Sequence, residues 1–296
     1  MADFKIILDS SCDLSLETLQ KLDIDLVPLL ISFDGVNYQK ELIELTKDRF
    51  YEILSTQDVF PKTTLPPIQD YIDIFKKNIE LGNNRIICVC LSSHLSGTYQ
   101  AAIAAKSVVV DEFPDCKISI LDSVNATSGF SLLVYELVRM RDDGVTLEAT
   151  ASKMEKIKAL SKTSFSVDSL EYLFKGGRIG RVAAFAGGLL NIKPVLKMEV
   201  GQLSPTGKVR GKKKAMSEIM DFVLKETKEY KDDFIYACVY GTEREDAITI
   251  QRTLENEHGY TFLLEPVQVG MAIGSHTGPT SLGISFFPKY DRFPKE

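Results

Sequence analysis

Four hydroxyls crowd residues 91–100, which read Leu-Ser-Ser-His-Leu-Ser-Gly-Thr-Tyr-Gln. Ser92, Ser93, Ser96 and Thr98 are more than the single side chain that capping a helix requires. An apolar run over residues 85–91 enters the stretch and a small-residue run over 101–105 leaves it, so the pattern predicts a buried strand, a turn and a helix. In an open α/β sheet such a turn lies at the carboxyl ends of the strands, where ligands bind, and the helix start offers its amides to an anion. The chemistry implied is the holding of an acidic or phosphorylated small molecule. Two further turns carry related groups. Lys62-Thr63-Thr64-Leu65-Pro66-Pro67 sets two threonines upstream of a proline suited to the first helical position. Gly274-Ser275-His276-Thr277-Gly278-Pro279 sets one of only three histidines in a glycine-rich turn that lets backbone approach a ligand. Of the others, His258 precedes Gly259 at a helix end, where a capping role suffices, and His94 sits inside the first turn.

These side chains need a frame, and the first half of the chain supplies alternating strand and helix patterns. Strands are expected at 4–9, 26–33, 85–91 and 117–122, with helices at 15–22, 46–54, 67–81, 97–110 and 128–141. That alternation argues an α/β fold with a parallel, doubly wound sheet. The second half reads as α+β. It has helices at 147–160, 215–228 and 246–257 and strands at 163–170, 234–240, 261–269 and 282–287. An antiparallel pair over 194–210 is broken by turns at Gly201 and at 204–207. The expected division is residues 1–160 and 161–296, with a ligand tunnel between or within the two parts.

Bulk properties narrow the function classes. The 296 residues are 44% hydrophobic and 26% charged, an ordinary globular composition. No run approaches the ~18–20 apolar residues of a membrane span, and the first residues lack the basic region of a signal peptide. The five cysteines are odd in number and lie mostly in apolar runs, which fits reduced, buried thiols in a cytoplasmic protein. Cys88 and Cys90 share a strand face without a second pair at zinc spacing, so no metal is expected. Residues 1–150 carry 13 Lys and Arg against 23 Asp and Glu, whereas residues 151–296 carry 22 against 18. An acidic chain with one basic patch, at Lys193, Lys197, Lys208, Arg210, Lys212, Lys213 and Lys214, is not a nucleic-acid binder by charge. The patch fits either a solvated surface or the docking of an acidic protein partner or, transiently, a membrane surface.

The three turns occur together with Asp9-Ser10-Ser11-Cys12-Asp13-Leu14, Leu121-Asp122-Ser123, Gly176-Gly177-Arg178-Ile179-Gly180 and Asn191-Ile192-Lys193-Pro194-Val195-Leu196. In this order, over essentially the whole chain, they resemble the DegV family of bacterial fatty-acid-binding proteins. The resemblance implies the acyl-binding subunit of a fatty acid kinase, serving phospholipid synthesis. Such a subunit buries a long-chain fatty acid, for example palmitate or oleate, while a separate ATP-dependent subunit phosphorylates its carboxyl group to acyl phosphate. Catalysis by this chain and a cofactor of its own are not implied. By the same resemblance the carboxylate falls to the pair Thr63 and Thr64, to Ser96 and to His276, and Arg178 engages the kinase or the phosphorylated end. Two residues depart from many relatives: His94 replaces a small residue before Leu-Ser-Gly-Thr, and Thr280 replaces a glycine.

Such a ligand needs an apolar slot with a few polar donors at one end. Each buried methylene is worth about 0.8 kcal/mol, so a chain of ~16 carbons gains roughly 10 kcal/mol before ordering costs. The carboxyl contacts therefore set orientation more than affinity, and a buried carboxylate needs its donors. Phe165, Phe185, Leu189, Leu190, Ile192, Leu196 and Ile284 are candidate tunnel residues, each equally readable as core. Lys212, Lys213 and Lys214, with Arg178, are the candidate docking residues. Two other classes compete. A serine hydrolase or acyltransferase would use Ser96 and His276, although no Gly-x-Ser-x-Gly elbow is present. A nucleotide-dependent enzyme would need a phosphate loop, and residues 176–180 lack that spacing.

Overall fold

The computed structural model describes residues 3–185 and 192–293. The first half runs β1 (Lys5–Asp9), α1 (Leu16–Lys21), β2 (Ile24–Val27), β3 (Leu30–Ser32), β4 (Gln39–Lys40), α2 (Lys47–Thr56), β5 (Lys62–Thr64), α3 (Ile68–Glu80), β6 (Arg85–Cys90), α4 (Thr98–Glu112), β7 (Lys117–Asp122), α5 (Thr127–Asp142) and α6 (Leu147–Ile157). The second runs β8 (Lys162–Ser166), α7 (Glu171–Lys175), β9 (Ile192–Glu199), β10 (Gln202–Arg210), α8 (Lys212–Thr227), β11 (Phe234–Tyr240), α9 (Arg244–His258), β12 (Val267–Gln268), α10 (Met271–Thr277) and β13 (Leu282–Pro288). Several helix starts follow from one residue. Ser15, Thr46 and Thr146 each accept the amide three positions on, satisfying a donor that the helix leaves unpaired.

Strands β2-β1-β6-β7 form a four-stranded, all-parallel sheet. Alternation along its strands serves two cores. Ile7, Ile86, Cys88 and Cys90 pack under α3 and α4. Ile6, Leu8, Ile87 and Val89 pack against α5. Helices thus cover both faces, as the doubly wound reading requires. The second sheet has six strands in the order β10-β9-β8-β13-β11-β12, antiparallel except where β11 meets β12. Helices α8 and α9 cover one of its faces. Its other face receives α5, whose cluster includes Ile235, Ala237 and Phe287. Thirteen of the sixteen residues of α5 are buried, because the helix packs against both sheets. All five cysteines are free and buried. No helix among the described residues is long and apolar enough to cross a membrane.

Four expected elements differ from the structure. Residues 26–33 make two strands in different sheets, because Pro28 offers no amide to continue the parallel ladder. Residues 204–207 are no turn: β10 runs through them with a register shift between Pro205 and Gly207, and Thr206 Oγ1 donates to the carbonyl of Val195 at 3.0 Å. Of residues 261–269 only Val267–Gln268 forms a strand, with Phe262 making a single bridge to Tyr236. Residues 275–277 belong to the helix α10 rather than to a loop, and Gly278, at φ 76°, ends it.

Helix α10 owes its place to a carboxylate far away in sequence. Glu41 is fully buried and accepts the amides of Met271 and Ala272 on Oε1 at 2.5 and 3.0 Å, while Ser10 Oγ donates to Oε2 at 2.5 Å. A small sheet, β4-β3-β5, ends beside it. Gly270 is obligatory at this joint: a Cβ there would lie 2.2 Å from Asp13 Oδ1 and 2.9 Å from Glu41 Oε1. Replacing Glu41 by alanine strands two buried amides. The expected cost is about 2–3 kcal/mol, read as a lower denaturant midpoint, and an unchanged midpoint would show that the clamp contributes nothing.

Candidate functional site

The hydroxyl-rich turn is anchored by the opening acidic motif. Asp9, at the end of β1, accepts the amide of Leu91 on Oδ2 at 2.5 Å and that of Ser11 on Oδ1 at 3.0 Å. Burial pushes the Asp9 carboxyl up to about 6, against these hydrogen bonds. Ser92 serves structure: its hydroxyl donates to the carbonyl of Gly201 at 3.2 Å and accepts the amide of His94 at 3.3 Å. Ser93 is held through its amide on Asp122 Oδ1. Ser96 Oγ accepts the amide of Thr98 at 3.3 Å and lies 2.7 Å from Thr98 Oγ1. Thr98 is buried with Ser96 as its hydroxyl partner, so it donates there and leaves the Ser96 proton for the cavity that Ser96 lines. Of the four hydroxyls, Ser96 alone borders that cavity.

Thr63 and His276 form the second half of the site. Strand β5 is pinned by β3, with Thr63 opposite Ile31. Neighbouring strand residues point to opposite faces. Thr63 Oγ1 accordingly meets His276 Nε2 at 2.8 Å, while Thr64 is exposed and borders the cavity. The imidazole sits on the bare Cα of Gly176, where a Cβ would lie 2.0 Å from Nδ1. Burial, with the Arg178 charge adding to it, lowers the His276 pKa to about 4, so the ring is neutral near pH 7. Its Nδ1 is buried without a partner among the described residues. An orphaned N–H is the rarer arrangement, so we assign the proton to Nε2, donating to Thr63. The Thr63 hydroxyl can then donate onward to a ligand oxygen. Arg178 borders the same space, with Nε donating to the carbonyl of Leu95 at 3.2 Å and Nη1 to that of Gly176 at 2.7 Å.

The cavity measures about 180 Å³, and Leu29, Leu91, Leu95, Phe165, Met198 and Leu203 supply much of its apolar wall. The structure thus brings Thr63, Thr64, Ser96, Arg178, His276 and Phe165 to one cavity. Leu196 and Ile284 are instead fully buried in packing clusters and do not line it. Ile284 alternates with Gly283 and Ser285 along β13 and faces α8 and α9. Ile192 is half-buried opposite Arg210 at the start of β9, also outside the lining. Leu189, Leu190 and the Phe185 side chain lie outside the described residues. Lys212 pairs with Glu243 and Asp246, and Lys214 with Glu218 at 3.2 Å, so their charges are largely met within the chain. Lys213 stands exposed between them.

Sequence reasoning passed over Leu29, Leu91, Leu95 and Met198 as wall residues. Leu91 and Leu95 stand inside the hydroxyl motif, and that adjacency was the available signal. Hydrolase chemistry needs a nucleophile hydrogen-bonded to its base. Here Ser96 bonds to Thr98 and His276 to Thr63.

The imidazole yields a pH test. A folded-state pKa of about 4, below the ordinary histidine value, means that the unfolded chain takes up a proton first as pH falls. Stability is therefore expected to drop between about pH 6.5 and pH 4, and His276→Gln should flatten that limb. An NMR titration placing the His276 midpoint near 6.5 would refute the assignment.

Comparison with known proteins places essentially the whole chain in one family. The DegV family, described as uncharacterised proteins, matches residues 3–289. A DegV domain-containing protein of Clostridium acetobutylicum is 30% identical over 292 residues, covering 98% of this chain and all of that one. A stearic-acid-binding protein from Eubacterium ventriosum superimposes with a TM-score of 0.92 at 36% identity, covering 97% of this chain and 99% of the other. DegV of Bacillus subtilis, a fatty acid binding protein, gives 0.84 at 26% identity, covering 98% and 100%. Fold, motif order and sequence match together show that the chain belongs to the DegV family.

Proposed function

We propose that this protein binds a long-chain fatty acid, with the acyl chain in the cavity and the carboxylate accepting from the Thr63 and Ser96 hydroxyls, while His276 orients Thr63. The observation that carries the reading is the placement of these donors, with Arg178, on one otherwise largely apolar cavity. The Thr63 and Ser96 hydroxyls each have a proton left for an acceptor once His276 and Thr98 donate to them. A neutral imidazole suits the task, because it orients Thr63 without forming a fixed ion pair. The fatty acids bound by the Eubacterium ventriosum and Bacillus subtilis relatives support the same ligand class here.

We further assign the presented carboxylate to a separate ATP-dependent kinase as its phosphoryl acceptor. This chain then acts as the acyl-binding subunit, contributing no catalytic group of its own. Arg178 lies on the same cavity as the carboxylate donors and fits contact with the phosphorylated end or the kinase. Lys212 and Lys214 contribute less net charge to docking, since Glu218 on α8, Asp246 on α9 and Glu243 just before it already pair with them.

Native mass spectrometry of the purified protein should show a co-purified fatty acid. Because methylene burial supplies most of the affinity, Thr63→Val or Ser96→Ala should weaken binding only about three- to tenfold. The bound carboxylate should also raise the His276 pKa, since a nearby negative charge favours the imidazolium. A delipidated protein that takes up neither palmitate nor oleate would falsify the fatty-acid reading.

A further inference from the structure

Four hydroxyl residues on the cavity, Thr127, Thr163, Thr277 and Ser281, are not part of the carboxylate cluster. Thr163, on β8, and Ser281, just before β13, both line the cavity and both are buried. Thr163 pairs in register with Ser285, four residues beyond Ser281. At about 3.3 Å per strand residue they stand roughly 13 Å apart along the wall. Polar groups are therefore spread along a slot that a plain hydrocarbon chain would leave dry.

Thr163 belongs to a chain of three hydroxyls. Ser285 Oγ lies 2.7 Å from Thr163 Oγ1 and 2.7 Å from Ser128 Oγ. Three hydroxyl protons serve two hydrogen bonds, so one proton is always left over. If Thr163 donates to Ser285 and Ser285 to Ser128, the spare proton sits on Ser128, a fully buried residue of α5 with no second hydroxyl partner among the described residues. If Ser285 accepts from both, its own proton is stranded between them. Only the order Ser128 to Ser285 to Thr163 leaves the spare proton on the member of the chain that lines the cavity. Ser281 Oγ also lacks a hydrogen bond among the described residues, but that oxygen is itself buried, which leaves Thr163 as the hydroxyl the argument turns on.

We propose that the cavity selects long-chain acids that carry an oxygen on the chain, a hydroxyl or keto group, and that Thr163 donates its hydrogen bond to that oxygen. This rests on the fatty-acid reading and narrows its ligand class. Thr163 is then a specificity-determining residue distinct from the carboxylate donors.

The test compares stearic, 10-hydroxystearic and 12-hydroxystearic acids on the delipidated full-length protein by competition with a fluorescent fatty acid. At least one hydroxystearate should bind about two- to tenfold more tightly than stearate, the worth of one net hydrogen bond. Thr163→Val should abolish that preference while keeping stearate binding, and Thr163→Ser should retain it. Stearate binding as tightly as both hydroxy acids in the unsubstituted protein overturns the proposal, leaves the fatty-acid reading standing, and requires no variant to fold. Survival of the preference in Thr163→Val overturns it as well. Failure of all three acids to bind overturns the fatty-acid reading and this proposal together.

Discussion

The carboxylate of Glu41 is the constraint from which the site is built. A seven-residue helix has too few internal hydrogen bonds to hold itself, and its first amides have no partner within it. Glu41 takes two of them in a fully buried setting, so α10 exists because a side chain 230 positions away ends beneath it. That helix delivers His276 to Thr63, which β3 holds in place through β5. The clamp and the contact between His276 and Thr63 are thus linked through α10.

The site divides similar side chains between architecture and chemistry. Ser92 and Ser93 sit beside Ser96 and look equivalent to it in sequence. Ser92 instead joins the turn to Gly201 from the other half of the chain, and Ser93 is tied by its amide to Asp122. Glycines show the same division. Gly176 is required because an imidazole rests on it, and Gly270 because two carboxylates converge there. In each case the missing Cβ defines a position for a neighbouring functional or supporting group.

Much of this was legible in the sequence where local patterns decide structure. Strands β7 and β11 fall where the apolar runs place them, and the alternation of β1, β6 and β7 with helices announced the parallel sheet. The motifs also singled out Thr63, Ser96 and His276, which the structure brings to one cavity. What the sequence concealed depends on distant partners. Helix α10 read as a glycine-rich loop because its stabilising carboxylate lies in another segment. Ile284 was equally readable as ligand contact or core, because an apolar residue in a strand does not say which of two faces is filled by helices. The bulge at Thr206 mimicked a turn, since Pro and Gly punctuate both.

Helix α5 joins the two sheets through one core. Its residues close the core under β1 and β6 and, on another side, the core under β11 and β13. A fragment ending after α6 would leave part of that helix facing water, and a fragment starting at β8 would uncover Ile235, Ala237 and Phe287. The cavity draws its walls from both sides of the same divide, with Leu29 and Leu91 from one and Phe165 and Met198 from the other. The pocket therefore needs both halves of the chain, and α5 packs against the sheet of each.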